Sequence, residues 1–266
     1  MVLRGRDLLS PVLTDDPQLR LTSSRGRWVL ATAVLGSAIA FLEATVVNVA
    51  LPEIGRDLDA DLAGLQWTIN GYLITLASLI LLGGSLGDRY GRRRIFEIGV
   101  VWFVAASALC AVAPSIEVLV AARVIQGVGG ALLTPGSLAI IEATFHTEDR
   151  GRAIGAWSAL TGVGAAIGPL VGGYLIDDVS WRAIFLINIP LGAFVVWASR
   201  RHIPETSDPT MTGKLDIRGS VLATVALAAI TFALIQTPDH GLGTARPRTL
   251  REGAALRDPT CDSLAS

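Results

Sequence analysis

Two charged side chains of this sequence lie inside apolar stretches, where a charge is costly. Glu43 lies near the middle of the apolar run that begins at Trp28, and Arg123 lies in a later apolar run. A charged side chain at the centre of a bilayer costs about 2.5 to 3.5 kcal/mol on insertion scales. A carboxyl group in that position is suited to binding and releasing protons, and a nearby guanidinium would bias its protonation. We therefore predict that Glu43 and Arg123 form a proton-coupling pair.

Both residues also have a structural interpretation. Glu43 could stay protonated and hydrogen-bond a neighbouring helix, and Arg123 could lie near the membrane surface with its side chain extended to water. Asn48 is interpreted as an interhelical hydrogen bonder rather than a ligand contact. Three residues share the helix face of Arg123, because they follow it by three, four and seven positions: Gln126, Gly127 and Gly130.

A row of glycines marks another apolar run. Gly164, Gly168 and Gly172 are four residues apart, with Gly173 beside the last of them, and they would form a smooth stripe on one side of a helix. In lipid, small residues four apart let two helix backbones come into van der Waals contact. Pro169 removes one backbone hydrogen bond and favours a bend. The pattern predicts a bent, closely packed membrane helix in a protein with moving halves.

The segment between the second and third apolar runs combines glycines with charges. Asp88 and Arg92 are four residues apart and could form an ion pair if the helix continues through them. Glycines would permit close packing against another helix. A basic loop that only fixes the topology would explain the arginines but not Asp88. The other small and basic residues of the segment are Gly83, Gly84, Gly87, Arg89, Gly91, Arg93 and Arg94.

The composition indicates a polytopic membrane protein. Of the 266 residues, 51% are hydrophobic and only 17% are charged, which is too apolar for an ordinary soluble domain. A helix needs about 20 apolar residues to cross a bilayer. Runs of this kind predict seven spans: Trp28–Ala50, Gln66–Gly84, Ile95–Ala113, Val118–Ile141, Ala153–Ile176, Ile184–Ala198 and Ile217–Gln236.

Basic residues alternate between the two sides of the predicted spans. They are concentrated in the N-terminal segment and in the second, fourth and sixth loops, so the positive-inside rule predicts a cytoplasmic N-terminus. Four arginines after the last span break this pattern, which favours a truncated or frameshifted gene. The expected organisation is a cytoplasmic tail, a six-helix half, a loop with a seventh helix, and a polar tail predicted to be disordered: residues 1–27, 28–199, 200–236 and 237–266.

Other kinds of chemistry have little support in the sequence. It contains no phosphate-binding loop, metal-ligand cluster or catalytic triad, so we expect neither an enzyme nor a nucleic-acid partner. Cys110 and Cys261 indicate neither a disulfide framework nor a metal site. Trp181 and Arg182 are expected at the headgroup level of the outer interface. The histidines lie in predicted loops or in the tail, where we expect solvent: His146, His202 and His240.

Four segments of the chain resemble motifs of the major facilitator superfamily, in particular its fourteen-span drug:proton antiporters. The resemblance covers about Trp28 to Gln236, and the motifs occur in the family's order. Gly84 to Arg94 is similar to motif A, and Arg123 to Ala131 is similar to motif B. Gly164 to Gly173 is similar to the antiporter motif C, and Phe41 to Pro52 is similar to the first-span motif of the fourteen-span group.

The resemblance implies an all-α membrane protein that works by alternating access. An inward proton flux would drive the export of an amphipathic compound, with the proton gradient as energy source and no cofactor. Asp88 and Arg92 would be the gating pair, Arg123 the motif B arginine, and Gly168 with Pro169 the motif C bend. Glu43 stands where the family usually has Asp.

The family fold needs two six-helix halves around a midplane site. The expected fold of this chain is the N-terminal six-helix half of a major facilitator fold plus a seventh linker helix. The alternative is an inactive truncated remnant, or a half-transporter that needs a separate second half.

Overall fold

The computed structural model describes residues 18–207 and 217–235, and every regular element within these ranges is a helix. The all-α prediction is therefore confirmed. Six stretches are long and apolar enough to cross a membrane, with the short α6 and α7 together forming the sixth. The helices are α1 (Ser24–Asp57), α2 (Leu62–Tyr90), α3 (Arg92–Ala111), α4 (Ile116–Thr144), α5 (Thr147–Asp178), α6 (Ala183–Leu186), α7 (Asn188–His202) and α8 (Ile217–Ile235).

Each of the first six predicted spans corresponds to one of these stretches. Most of the observed stretches are longer than predicted at both ends. A helix, α8, also occupies the seventh predicted span, although its apolar part Val221–Ala233 is shorter than the other six. The predicted tail 237–266, which contains His240 and Cys261, lies outside the described residues. So does most of the predicted N-terminal tail, residues 1–17.

The fourth span is central to the bundle. Helix α4 packs along both α2 and α3, while α1 packs along α5. The packing with α2 and α3 is close because glycines remove side chains from the contact. A β-carbon on Gly99 would lie 2.7 Å from the backbone nitrogen of Leu133, and one on Gly129 would lie 2.6 Å from the backbone nitrogen of Phe103. Such contacts bring polar groups of neighbouring helices within reach of one another.

The sixth span is interrupted at Ile187, between α6 and α7. Pro190 lies in the first turn of α7 and has no backbone N–H, so it cannot complete a helical hydrogen bond to the carbonyl of Leu186. The first residue after the interruption is Asn188, whose side chain is fully buried. A break in a membrane helix thus adjoins a buried polar side chain.

Trp181, predicted at the headgroup level, is packed inside the protein. Its side chain is only 2% exposed, and its indole N–H donates to Asp57 at the end of α1, with a distance of 3.0 Å. Arg182 binds the same carboxylate at 2.6 Å and stacks over the Trp181 ring. An acidic partner on α1, which the sequence did not pair with this tryptophan, holds the start of the sixth span against the bundle.

Two of the histidines predicted to be solvated are only partly exposed. His146 precedes α5, and its Nδ1 accepts a hydrogen bond from the backbone nitrogen of Glu148 at 3.4 Å. His202 ends α7 and stacks on Trp28 of α1, with ring centroids 4.8 Å apart. Each ring lies at a helix end, where it contacts the protein rather than bulk water alone.

One end of the bundle collects the segments that are rich in arginine. The chain before α1 pairs with the turn after α4, through a 2.8 Å hydrogen bond from Leu19 N to the Thr144 carbonyl. Arg25 donates to the carbonyl of His202 at 3.0 Å, which brings the start of α1 to the end of α7. The α2–α3 turn and the residues after α7 meet at this same end. The basic loops that the sequence assigns to one side therefore share one end of the bundle.

Candidate functional site

A cluster of buried polar side chains lies between five helix segments of the bundle. Its members are no more than 1% exposed. The cluster combines one carboxylate and one guanidinium with two amides and a hydroxyl. It consists of Glu43 on α1, Ser107 on α3, Arg123 and Gln126 on α4, and Asn188 on α7, with the backbone of α2 alongside.

The guanidinium of Arg123 is fully engaged inside this cluster. Its Nη1 atom lies 2.8 Å from Glu43 Oε1 and 2.6 Å from the side-chain oxygen of Gln126. Its Nε atom donates to the carbonyl of Thr68 on α2 at 3.1 Å, and its carbon Cζ lies 4.3 Å from the centre of the Tyr72 ring. The side chain does not extend to water, so the surface interpretation of Arg123 is wrong.

The carboxylate of Glu43 is surrounded by hydrogen-bond donors. Oε1 accepts from Arg123 and, at 2.5 Å, from the amide nitrogen of Gln126, while Oε2 accepts from the amide nitrogen of Asn188. The hydroxyl of Ser107 accepts from both amides, at 2.6 Å from Gln126 and 3.1 Å from Asn188. An ionised carboxylate is an acceptor only. The arrangement therefore presents donors to the charged form of Glu43.

Glycines on α4 bring α2 to the ion pair. A β-carbon on Gly127 would lie 2.7 Å from the carbonyl oxygen of Tyr72, and one on Gly130 would lie 3.2 Å from the Tyr72 hydroxyl. Because these positions lack side chains, the Tyr72 ring can lie against Arg123. On this face of α4, the side chains of Arg123 and Gln126 therefore contact Glu43, while the two glycines contact α2.

Sequence reasoning missed two members of the cluster, and its interpretation of Asn48 as an interhelical hydrogen bonder is wrong. Asn48 is exposed, and its side chain donates to the Ala44 carbonyl of its own helix at 2.7 Å. At about 3.6 residues per turn it points roughly 140° away from Glu43. The two members that were missed are Asn188 and Ser107. Asn188 did leave a usable signal, because it is a polar side chain in an apolar run, two residues before Pro190.

The proposed gating segment lies at the basic end of the bundle, apart from the Glu43 cluster. Arg92 binds Asp88 with Nη2 at 2.7 Å and Nε at 2.8 Å. The pair forms although α2 ends at Tyr90, so a continuous helix is not what holds it. Gly91 connects α2 to α3 with a φ of 108°, a conformation that disfavours residues with a side chain. Arg89, also in this segment, lies 5.5 Å from the centre of the Tyr90 ring.

Only one glycine of this segment makes the close helix contact that was predicted. A β-carbon on Gly83 would overlap the carbonyl oxygen of Ala131 on α4. The nearest atom to a β-carbon on Gly84 would be 3.7 Å away, on Pro135, and for Gly87 the corresponding distance is 3.9 Å. The prediction of close packing is therefore wrong for Gly84 and Gly87, which leave room for a methyl group.

The residues after α7 cover the α2–α3 turn. Arg92 donates its backbone N–H to the carbonyl of Thr206 at 2.8 Å, and Arg93 N donates to Glu205 Oε1 at 3.1 Å. Arg93 Nη1 donates to the Ile203 carbonyl at 3.0 Å. The Glu205 carboxylate lies directly over Gly91, where a β-carbon would come within 2.6 Å of it. A second reason thus favours glycine at this position.

The glycine stripe of α5 packs against α1 of the same bundle. A β-carbon on Gly164 would lie 3.3 Å from Ala38, one on Gly168 would overlap the Thr45 hydroxyl, and one on Gly172 would lie 2.8 Å from Val46. No atom lies within 4 Å of the corresponding position on Gly173. Helix α5 continues through Pro169. Three glycines of the stripe therefore serve packing inside this half.

This difference between neighbouring glycines allows a matched test. We expect Gly168→Ala to lower the free energy of unfolding by about 1 to 3 kcal/mol, the usual cost of overpacking. The new methyl group would displace Thr45, whose hydroxyl donates to the Leu42 carbonyl at 2.8 Å. Gly173→Ala should cost nothing. Unfolding of both variants in mixed detergent micelles measures the difference, and equal stability of the two would contradict the packing described here.

Six membrane-length helices, with an ion pair buried between α1 and α4, define a polytopic membrane protein. Among the described residues, no group of three or more His, Cys, Asp or Glu side chains could hold a metal ion. A sequence model of a protein family, the Major Facilitator Superfamily, matches residues 33–250. The chain belongs to this superfamily, whose members are transporters and not enzymes, and it is a multi-pass membrane protein.

Relatives of this chain are named as antibiotic resistance proteins, transporters and drug efflux pumps. It is 41% identical over 221 residues to the methylenomycin A resistance protein of Bacillus subtilis, which covers 83% of this chain and 47% of the relative. It is 40% identical over 220 residues to a probable actinorhodin transporter of Streptomyces coelicolor, covering 81% and 38% of the two chains. The chain thus spans less than half the length of these relatives.

The fold is similar to that of solved transporters. A crystal structure of the peptide transporter POT superposes with a TM-score of 0.62 at 18% sequence identity. The match covers 82% of this chain and 47% of the other. The prediction of a partial major facilitator fold is confirmed.

Proposed function

We propose that this chain is a proton-coupled exporter of drugs or antibiotics that works by alternating access. The observation that carries the proposal is the buried Glu43 carboxylate, paired with Arg123 at 2.8 Å and sealed from water by neighbouring helices. A buried charge pair is expensive to build, and in membrane proteins such residues mark ion and proton pathways. The names of the relatives, which include a drug efflux pump, support the direction of transport and the kind of substrate.

In this proposal Glu43 carries the proton and Arg123 modulates it. While Glu43 is ionised, the guanidinium balances its charge and ties α1 to α4. Protonation removes the negative charge, so the Arg123 side chain is held only by Gln126, the Thr68 carbonyl and the Tyr72 ring. The attachment of α1 to α4 therefore depends on the protonation state. A change of this kind is what a proton-driven rearrangement of helices requires.

We assign the remaining motif residues roles outside the proton site. The Asp88–Arg92 pair and the sharp Gly91 turn would gate the basic end of the bundle, with Gly84, Gly87 and Arg89 in the same segment. The stripe on α5 and the glycines of α4 would keep α1, α2 and α5 close enough to move together. Clustering of the arginine-rich segments at one end supports a cytoplasmic N-terminus.

The proposed partners follow from the class of protein. They are an amphipathic small molecule, protons and the lipid bilayer of the cell membrane, and in the alternative of a half-transporter also a second six-helix bundle. No nucleic acid is among them. The relatives are more than twice as long as the matched part of this chain, and this difference is the observation that favours the half-transporter.

A drug-accumulation assay tests the proposal. Cells expressing the chain should accumulate less of an exported antibiotic than control cells, and a proton uncoupler should abolish the difference. Glu43→Gln should raise accumulation to the control level, because the side chain can no longer bind and release a proton. Glu53→Gln is the matched control, since Glu53 lies on the same helix in a partly exposed ion pair with Arg56 and should leave export unchanged.

The alternative, a half-transporter that needs a separate second half, is tested in the same cells. The C-terminal half of the Bacillus subtilis relative is expressed together with this chain. Uncoupler-sensitive export only in the co-expressing cells would establish the half-transporter, and its absence in both would leave the inactive remnant. Export by Glu43→Gln equal to that of the unsubstituted chain would overturn the role of Glu43.

A further inference from the structure

Asn188 is bound on one side of its amide and unbound on the other. Its Nδ2 atom donates to Glu43 Oε2 and to Ser107 Oγ, while its Oδ1 atom has no hydrogen-bond partner. The residue is 0% exposed. Among the described residues, Oδ1 is the only polar side-chain atom of the Glu43 cluster left in this way. A buried acceptor without a partner lowers the stability of a protein by about 1 to 3 kcal/mol. The presence of one in this cluster therefore needs an explanation.

The missing partner becomes available when Glu43 is protonated. The new O–H of a carboxylic acid must donate to an acceptor, yet Arg123, Gln126 and Asn188 all present N–H groups to the carboxylate. The Ser107 hydroxyl already accepts from two amides. The oxygen of Asn188 is the unused acceptor of the cluster. It lies on the same planar amide group as the nitrogen that now contacts Glu43.

We propose that Asn188 is a positioning residue that changes its hydrogen-bond role with the protonation of Glu43. Its amide nitrogen donates to the ionised carboxylate. When a proton from water binds to Oε2, the amide rotates by about half a turn, and its oxygen accepts the new O–H. Oxygen and nitrogen of an amide are nearly equal in size, so the two orientations of the amide occupy nearly the same space. This inference rests on the proposed role of Glu43 as the proton carrier.

The position of Asn188 gives this exchange a consequence for the fold. It is the first residue of α7, immediately after the interruption of the sixth span at Ile187. The other side of the interruption is held to α1 by Asp57, which binds Trp181 and Arg182. Helix α1 therefore contacts the sixth span on both sides of the interruption, through Asp57 on one side and Glu43 on the other. Only the contact between Glu43 and Asn188 changes when Glu43 binds a proton.

Other ionisable side chains around Glu43 do not provide the missing acceptor. Arg123 of α4 is a donor only. Tyr72 of α2 lies under the guanidinium, and Cys110 of α3 directs its sulfur to Gln126 Oε1 at 3.7 Å. Helix α7 contributes the neutral amide alone. The exchange therefore involves Glu43, Asn188 and the Ser107 hydroxyl, which loses the bond from Asn188 Nδ2 when the amide turns.

Infrared difference spectroscopy of the purified chain in detergent tests the inference. Spectra recorded between low and high pH should contain a carboxyl C=O band that Glu43→Gln removes. The same spectra should contain a change in an asparagine side-chain band, lost in both Glu43→Gln and Asn188→Leu. In Asn188→Leu the Glu43 carboxyl band should shift to a higher frequency, as expected for an O–H that has lost its acceptor.

Asn48→Leu is the matched control, because Asn48 is an exposed amide that bonds only to its own helix. It should leave both bands unchanged. A Glu43 band without any asparagine change, or with the same frequency in Asn188→Leu, would overturn the inference and leave the proposed function intact. Absence of a Glu43 band would overturn both. The asparagine band of the unsubstituted chain provides the test even if Asn188→Leu does not fold.

Discussion

Replacing Arg123 with methionine should lower the free energy of unfolding by about 3 to 5 kcal/mol, the largest effect that we expect from one substitution in this chain. Methionine fills a similar volume but carries no charge and no donor. The Glu43 carboxylate would then remain buried at 1% exposure without its cation. The loss should become smaller at low pH, since protonation of Glu43 removes the unbalanced charge. Reversible unfolding in mixed detergent micelles at several pH values measures both effects.

The double variant Arg123→Met with Glu43→Gln is the control for this prediction. It contains no buried charge, so it should recover most of the stability lost in Arg123→Met. The two substitutions would then be strongly non-additive, as expected for groups in direct contact. A double variant that is no more stable than Arg123→Met would mean that lost packing, rather than the unpaired carboxylate, destabilises the single variant.

Gly83→Ala should separate α2 from α4 and lower the free energy of unfolding by about 1 to 3 kcal/mol. The added methyl group would overlap the carbonyl oxygen of Ala131, and a backbone atom cannot rotate out of the way as a side chain can. Helix α2 also carries Thr68 and Tyr72, so its displacement should weaken two contacts of Arg123. Unfolding in mixed micelles gives the stability, and near-ultraviolet circular dichroism follows the packing of Tyr72.

The next residue along the chain is the control. A β-carbon on Gly84 would have its nearest neighbour at 3.7 Å, an ordinary van der Waals distance. Alanine also has the better helix propensity, by up to about 1 kcal/mol. Gly84→Ala should therefore be neutral or stabilising. If Gly84→Ala destabilised the chain as much as Gly83→Ala, the close approach of α2 and α4 would not explain the effect.

The spans and the ion pair could be predicted because each leaves a strong signal in the sequence. Apolar runs of membrane length define the helices almost without regard to context. Glu43 and Arg123 are conspicuous because a charge in such a run is rare and expensive. Their contact spans 80 residues of sequence, yet it follows from the fact that each needs an opposite charge.

The partners of the ion pair left weaker signals. Ser107 is a small polar residue in an apolar helix, where it can always bond to its own backbone, so its type alone does not indicate a site. Asn188 lies 145 residues from Glu43, and only the folded bundle brings them together. Asn48 was interpreted as an interhelical hydrogen bonder, yet it bonds to its own helix. The helical period places it on the opposite side of α1 from Glu43.

The choice between neighbouring glycines also depends on the fold. Gly83 and Gly84 are equivalent in type and surroundings along the chain, and the rotation of α2 against α4 decides which of them meets Ala131. The same holds for Gly172, which contacts Val46, and Gly173, which contacts nothing within 4 Å of its β-carbon position. Spacing identifies a row of small residues, whereas the partner helix determines which members are needed.

The cover over the α2–α3 turn has a consequence for biosynthesis. Arg93 and Glu205 are separated by 112 residues, so the turn is synthesised long before the segment that covers it. A ribosome that has completed α3 still has three further spans to make before Glu205 and Thr206 emerge. During that interval the Gly91 turn lacks its partners. The contact can therefore close only after the sixth span has been inserted, and its closure marks the completion of the bundle.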